Sequence, residues 1–353
     1  MNKNSLDIAQ LFSSGSLVSE PKESYKQKET FNYYTFKFGN VIYKVYKKPV
    51  NLAQEAVETH LMRKLEDSAM LLSPDLKFEL WSLENVDGEI KLLPINESEG
   101  QILHFVFKMQ FFPQNKLASH LMEKEKLDTS HLKLICEHLY EFHSRTKFIT
   151  DKYTGTCDHL QKIFDDLVYQ SKKYLHRTFS SAVINMTCAP VQRFLNENKR
   201  LLFLRMKNEK IKETHRCFVP SKIFVLKDKA VFIPMHFDNV IQSFSDVTSD
   251  IADFVLSLQM SNLKSLSENF VDHYVEISGD EEIYEIMPFY LVLKAYQRGL
   301  YESYKLNILG EDDTLLKSAT NYYDKAAELA TELSNLVTQK KRIAAQSSVD
   351  QEA

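Results

Sequence analysis

The chain has 353 residues, which is enough for two packed lobes with a sizeable core. Hydrophobic residues make up 44% of it and charged residues 26%, the balance of a soluble globular protein. The 44 lysines and arginines against 48 aspartates and glutamates give a formal charge of -4, which is too even for a general nucleic-acid-binding surface.

The positions of glycine and cysteine further narrow the class of protein that this sequence can encode. The 8 glycines form neither G-x-G-x-x-G nor G-x-x-x-x-G-K, so the sequence excludes phosphate cradles of the Rossmann and P-loop kinds. The 4 cysteines form no C-x-x-C pair, which is typical of free thiols inside the cell. No signal-like segment and no apolar run of about 18 residues is visible. We therefore expect a cytoplasmic protein with no membrane and no nucleic-acid partner.

The first third of the chain alternates strands with a helix. Residues 1–24 are polar and predict a short helix or loose arm followed by a linker. Alternating apolar residues predict two strands within residues 30–48, and Gly39-Asn40 between them suits a tight hairpin turn. The further elements predicted in this part are a helix over residues 52–65 and strands over residues 76–83 and 102–109, with a polar loop between those strands.

After Pro113 helical spacing dominates and is interrupted by one apolar hairpin. The hairpin is predicted over residues 223–226 and 230–233, and Pro190 is predicted to open one of the helices. The predicted helices cover residues 130–146, 159–173, 191–207, 246–259, 266–275, 284–304 and 313–338, and the polar end of the chain is expected to fray.

This order of elements fits an α+β, bilobal, kinase-like chain. A small β-rich N-lobe is expected over residues 25–109, after the N-terminal arm. A larger helical C-lobe holding one β-hairpin is expected over residues 110–340, with a polar tail over residues 341–353.

Five short segments, in the same order along the chain, resemble one family. They are E-T through Y-K to K-K-P-V within residues 29–50, F-K-M-Q-F-F-P-Q at 107–114, F-H at 142–143, S-D-V-T-S-D-I-A at 245–252, and F-Y through K-A-Y-Q-R at 289–298. Together they span about 270 residues and resemble the aminoglycoside-phosphotransferase-type kinases. More narrowly, they resemble the bacterial phosphotransferase-like domain that is often fused to a P-loop kinase half, and the glycine spacing shows that this half is absent.

The resemblance implies a nucleotide site built on one strand lysine. That lysine would be Lys44, held by Glu58 on the following helix, with Glu55 as a competing partner and Met109 beside the nucleotide. The charge pattern alone favours a solvated strand lysine, because Lys44 is followed closely by further lysines.

The catalytic segment departs from the family pattern. The family carries a catalytic Asp, a metal-ligand Asn five residues later and a metal-ligand Asp beyond the next strand, and here these positions are Cys217, Lys222 and Pro234. Arg216 replaces a glycine beside the same turn. A thiol, an ammonium group and a proline ring cannot supply the hard oxygen ligands that Mg²⁺ needs. The resemblance therefore implies that no catalytic group is intact and that no metal is held.

The sequence leaves open three ways in which other residues could replace the lost catalytic groups. Asp238, four residues past Pro234, could serve if the strand were slipped. His215, Cys217, His236 and Asp238 could form a zinc set, although a structural His215 and a small buried Cys217 explain the residues more simply. Cys217 could also act as a nucleophile, since Arg216 and Lys222 would lower its pKa.

We favour a catalytically impaired kinase-like protein, a pseudokinase that acts by binding. Its ligand would be a nucleotide such as ATP taken up without magnesium, another anionic small molecule, or a partner protein. One alternative is an active small-molecule phosphotransferase that uses Asp238 or Cys217. The other is a scaffold whose cleft is filled by bulky side chains such as Phe218 and Phe237, with the C-terminal helix as its interacting surface.

Overall fold

A computed structural model of the protein describes residues 7–15, 17–18, 25–30, 32–149, 151–234, 244–310 and 312–352. The chain divides into two compact units. The first unit comprises Met1–Lys126 and Ser221–Ile241, and the second comprises Leu127–Pro220 and Gln242–Ala353. The first unit thus extends past residue 109, where we expected the N-lobe to end, and it includes the hairpin that we expected in the helical lobe.

Helices and strands alternate in the first part of the chain, and after Gln110 most elements are helices. The strands are β1 (Lys26–Glu29), β2 (Tyr33–Phe38), β3 (Val41–Tyr46), β4 (Glu79–Val86), β5 (Glu89–Pro94), β6 (Gln101–Gln110), β7 (Ile211–Glu213), β8 (Ile223–Val225), β9 (Ala230–Phe232) and β10 (Phe244–Asp246). The helices are α1 (Ile8–Ser14), α2 (Glu55–Leu72), α3 (Ala118–Glu123), α4 (Thr129–Arg145), α5 (Cys157–Ser171), α6 (Ser181–Glu197), α7 (Lys199–Lys207), α8 (Thr248–Met260), α9 (Lys264–Ser278), α10 (Glu282–Leu309) and α11 (Asp313–Glu352).

A six-stranded antiparallel sheet forms the centre of the first unit. Its strand order is β1-β2-β3-β6-β4-β5, and Gly39 and Asn40 form the predicted turn between β2 and β3. The sequence analysis missed two of its strands. Strand β1 has four exposed residues and so lacks the apolar alternation that marks a half-buried strand, and β5 lies in the segment predicted as a polar loop.

Each face of this sheet is covered by apolar residues. Because successive strand residues point to opposite faces, Tyr43 and Val45 lie on one face and Tyr46 lies on the other. On the first face Phe12 of α1 stacks on Phe36 with ring centroids 4.3 Å apart. Part of the expected N-terminal arm is therefore docked on the sheet. On the second face Met62 of α2 packs into a separate cluster.

The predicted hairpin is confirmed as β8 and β9, and it packs on the second face of the sheet. The Phe224 ring lies 5.3 Å from that of Phe112, between centroids. The Phe232 amide donates a hydrogen bond of 2.8 Å to Ser73 Oγ at the end of α2. These contacts join residues that lie more than a hundred positions apart in the sequence, which explains why the hairpin belongs to the first unit.

The second unit is built around α10, whose residues are buried on nearly all sides. Gly299 of α10 lies against the Tyr323 ring of α11, and a Cβ at this position would lie 2.9 Å from ring carbons. The two helices can therefore approach only because residue 299 has no side chain.

Two helix predictions for this unit are wrong. Pro190 lies inside α6 rather than opening a helix. The buried side chains of Val183, Thr187, Val191 and Phe194 form one continuous face through the proline, so burial of this face offsets the missing backbone hydrogen bond. Helix α11 extends to Glu352, past the expected end at residue 338.

Candidate functional site

The predicted site residues fall into two groups, one in each unit. In the first unit Lys44 lies at the middle of β3, where its cross-strand neighbours are Thr35 on β2 and Phe107 on β6. Directly opposite residues share a face of an antiparallel sheet, and Phe107 is buried in the cluster beneath α2. Lys44 therefore points to the same face as α2 and the hairpin, and its side chain is half-buried.

The expected pair between Lys44 and Glu58 is not formed. Glu58 Oε1 lies 3.6 Å from Lys48 Nζ, and no described carboxylate lies within ion-pair distance of Lys44. The reason is positional: Glu58 lies in the first turn of α2, close in the chain to the end of β3, where Lys48 is. Glu55, the competing partner, likewise does not lie within ion-pair distance of Lys44.

Burial without a counter-charge changes the titration of Lys44. Desolvation is the largest cause, and the positive charges of Lys222 and Lys28 add to it. Together they lower the pKa of Lys44 from 10.5 to about 7. An ammonium group held in this way is stabilised by any anion that approaches it.

Met109 lies near the end of β6, opposite Ile42 of β3. It is almost fully buried and belongs to the cluster beneath α2. We expected it beside the nucleotide, and within the first unit its side chain packs into the apolar core.

Lys222 and Pro234, which the resemblance aligns with metal ligands, lie near each other at the open end of the hairpin. The Ile233 amide donates a hydrogen bond of 2.8 Å to the Lys222 carbonyl, so Lys222 lies opposite Ile233, the residue that precedes Pro234. Pro234 is buried and Lys222 is half-buried. Neither residue has a side-chain oxygen that could bind a metal ion, and Lys222 adds a positive charge.

In the second unit a buried carboxylate fixes the segment that starts at His215. Asp250 of α8 is fully buried and accepts hydrogen bonds from the amides of His215 at 2.6 Å and Arg216 at 2.9 Å. His143 Nε2 lies 3.1 Å from the same carboxylate, and His143 Nδ1 lies 2.7 Å from the Tyr274 hydroxyl. Burial opposes the charge of Asp250, but these partners outweigh burial and keep its pKa below the usual value. These hydrogen bonds show that Asp250 holds this segment of the chain.

Arg216 adopts a left-handed backbone conformation, with φ of 69°. Such a φ is readily adopted by glycine, the residue that the resembling family carries here, and costs roughly 1–2 kcal/mol for other residues. The loop therefore keeps the backbone shape that suits glycine although the glycine itself is lost. Burial lowers the pKa of the Arg216 side chain.

Cys217, which the resemblance aligns with the catalytic base, lies beside Arg298. Arg298 Nη2 donates to Cys217 Sγ at 3.3 Å and lies 3.4 Å from Asp253 Oδ1. Lys294 Nζ donates to the other oxygen of Asp253 at 2.9 Å. Burial disfavours the charge of Arg298, yet Cys217 and Asp253 hold its pKa above the usual value. Cys217 has no carboxylate with which to accept a substrate proton.

The sequence analysis also missed a buried ion-pair network. Arg205 of α7 is fully buried and binds both carboxylate oxygens of Asp246, and it binds Asp280 at 2.9 Å. Burial alone would lower the pKa of Arg205, but the two aspartates raise it. The signal was present for Asp253 and Lys294, which are charges within apolar helical segments and must find partners when buried. No local pattern marks Arg205.

The residues at these positions do not fit a magnesium ion. Magnesium needs oxygen ligands in near-octahedral geometry, and Cys217, Lys222 and Pro234 supply none from their side chains. Within the part of the chain that the structure describes, no three His, Cys, Asp or Glu side chains are placed to bind a metal. His236 and Asp238, which the zinc and strand-slip alternatives need, lie outside the described residues.

Comparison with solved structures identifies the fold. A choline/ethanolamine kinase family protein from Mesorhizobium loti matches with a TM-score of 0.56 at 12% identity, over 91% of this chain and 92% of that one. The amicoumacin kinase hAmiN, solved with AMP-PNP, Ca²⁺ and Ami, matches with 0.53 at 11%, over 91% and 93%. A thermostable mutant of the aminoglycoside phosphotransferase APH(4)-Ia matches with 0.51 at 13%, over 90% and 97%. No protein-family model and no curated protein matches the sequence.

The chain therefore has the kinase-like fold of choline kinases and aminoglycoside phosphotransferases, as its motifs predicted. It shares little sequence with these proteins, so the likeness establishes the fold and not the activity. Among the described residues, no helix has both the length and the apolar character needed to cross a membrane.

Proposed function

We propose that this protein is a catalytically impaired kinase-like protein, a pseudokinase, that binds an anionic nucleotide rather than transferring its phosphate. One observation carries the proposal. Asp250 and His143 hold the segment that the resemblance aligns with the catalytic loop. The residues that it aligns with the three reacting and metal-binding groups are Cys217, Lys222 and Pro234.

The chemistry of phosphoryl transfer supports this reading. The reaction depends on positioning and on neutralising charge with metal ions, and the protein contributes little covalent chemistry. A loop without its carboxylate and a hairpin without metal ligands remove both contributions. One lost group could be compensated, whereas all three would have to be replaced together.

Nucleotide binding is supported by what remains. Lys44 keeps its place on β3 and carries a charge that no described carboxylate neutralises. One protein of the same fold was solved with AMP-PNP, which is an ATP analogue. A protein partner would then be the means by which the bound state has an effect.

The test is ATP turnover by the purified protein. ADP release is measured with Mg²⁺ or Mn²⁺, in the presence of choline, ethanolamine or an aminoglycoside, the compounds named for proteins of this fold. We expect the same background rate from wild type and Lys44→Ala. Metal-dependent turnover that Lys44→Ala abolishes would contradict the proposal.

A further pair of variants assigns any turnover that is found. Loss of turnover in Asp238→Asn but not in Cys217→Ser would identify an active phosphotransferase that uses Asp238. Loss in Cys217→Ser alone would identify thiol chemistry.

A further inference from the structure

Three lysines approach one another on the face of the sheet that carries α2 and the hairpin. Two of them are fixed by strand register: Lys28 pairs with Thr35, and Thr35 pairs with Lys44. Residues in such a row point to the same face of the sheet. Because neighbouring strands lie about 4.8 Å apart, Lys28 and Lys44 are separated by about 10 Å, with only the short side chain of Thr35 between them.

The third lysine comes from the hairpin. Lys222 immediately precedes β8, and the Ile233 amide holds its carbonyl at 2.8 Å. The hairpin residues Phe224 and Ile233 belong to the same cluster as the partly buried Ile42, which lies two positions before Lys44 on β3. After desolvation, the positive charge of Lys222 is a further cause that lowers the pKa of Lys44.

The described glutamate at the start of α2 pairs with another lysine: Glu58 lies 3.6 Å from Lys48. No described carboxylate is within ion-pair distance of Lys44. Among the described residues, the charges that act on Lys44 are those of Lys222 and Lys28, and the Lys44 side chain is partly sheltered from solvent.

We propose that Lys222 takes the place of the missing metal ion, and that Lys222, Lys44 and Lys28 together bind a triphosphate group without a divalent cation. The proposal rests on the proposed function, because it concerns the same site and names its ligand. Lysines bind phosphate oxygens as compact point charges, and a chain of three phosphates spans more than one of them. A free triphosphate carries more negative charge than its magnesium complex, and it therefore binds more tightly to fixed ammonium groups.

Calorimetry with two probes tests the proposal. ATP and inorganic triphosphate are titrated into the full chain, each with excess EDTA and each with Mg²⁺. We expect binding in EDTA that weakens when Mg²⁺ is added. Binding of both probes with similar affinity assigns the site to the phosphates, and binding of ATP alone assigns it to a nucleotide.

Variants assign the binding to Lys222. Loss of one charge-assisted contact in Lys222→Ala weakens binding about tenfold or more, and Lys222→Arg, which keeps the charge, restores most of it. Lys28→Ala weakens binding less, because Lys28 is exposed. The matched control is Lys91→Ala on β5, a lysine of the same sheet that lies 3.5 Å from Glu99, and this variant leaves the affinity unchanged.

The outcomes separate this inference from the proposed function. An affinity that requires Mg²⁺, or that is equal in wild type and Lys222→Ala, overturns the role of Lys222. Absence of binding in EDTA overturns it as well, while impaired catalysis would still stand. Metal-dependent ATP turnover would instead overturn the proposed function itself.

Discussion

Replacing Lys44 by methionine is expected to make the protein more stable. The change removes the ammonium group and keeps a chain of similar length in the same place. The pKa of Lys44 falls from 10.5 to about 7, and at about 1.4 kcal/mol per pKa unit the shift corresponds to an upper limit of about 5 kcal/mol. Because the side chain is only half-buried, water screens part of this cost, and we expect a gain of about 2–3 kcal/mol.

The pH dependence makes this prediction specific. Between about pH 7 and 10.5 the unfolded chain holds a proton on residue 44 that the folded chain has lost. Wild-type stability therefore gains from this group as the pH rises through that window. The methionine variant lacks this gain, so its advantage is largest near neutral pH and shrinks by up to about 1.4 kcal/mol per pH unit above it.

Urea unfolding followed by circular dichroism, between about pH 6.5 and 9.5, measures both effects. The control is Lys47→Met, which breaks the 2.6 Å ion pair with Glu29 and should lower the stability by less than about 1 kcal/mol. A Lys44→Met variant that is less stable than wild type would show that a carboxylate pairs with Lys44. A stability difference that is the same at every pH would refute the lowered pKa.

Three further predictions concern the Arg205 network, the contact of α10 with α11, and the titration of Lys44. Arg205→Met leaves the buried Asp246 without its cation and leaves Asp280 with Lys210 alone, and it should cost about 3–5 kcal/mol in urea unfolding. The control Arg200→Met, at an exposed position on the same helix, should change the stability little. Equal effects of the two variants would refute the network. Gly299→Ala places a methyl group against the Tyr323 ring and should lower the stability by about 1–3 kcal/mol. Helix propensity alone predicts an unchanged or raised stability, and that result would show that α10 and α11 can separate. ATP affinity in EDTA should fall as the pH rises through about 7, because the anion favours protonated Lys44. The Lys44→Arg variant should flatten this dependence of affinity on pH. An equally steep dependence in Lys44→Arg would place the titrating group on the nucleotide.

Local patterns were sufficient for much of the first unit. Alternation of apolar residues located β2, β3 and their turn, and a short apolar run located the β8–β9 hairpin. They failed for β1 because all four of its residues are exposed and only pairing with β2 makes it a strand. They failed at Pro190 because burial of one face of α6 outweighs a local helix-breaking residue.

Some features of the candidate site could likewise be predicted from the sequence, and others could not. The sequence alone determined which residue types stand at Cys217, Lys222 and Pro234, and residue type is sufficient to exclude magnesium ligands there. Only the tertiary structure decided that Glu58 pairs with Lys48, and that Arg205 finds Asp246 and Asp280 across 41 and 75 residues. The physical reason is that ligand chemistry belongs to a single side chain and can be read at its position. The choice of a partner among several charges depends instead on distances that only the packed strands and helices set.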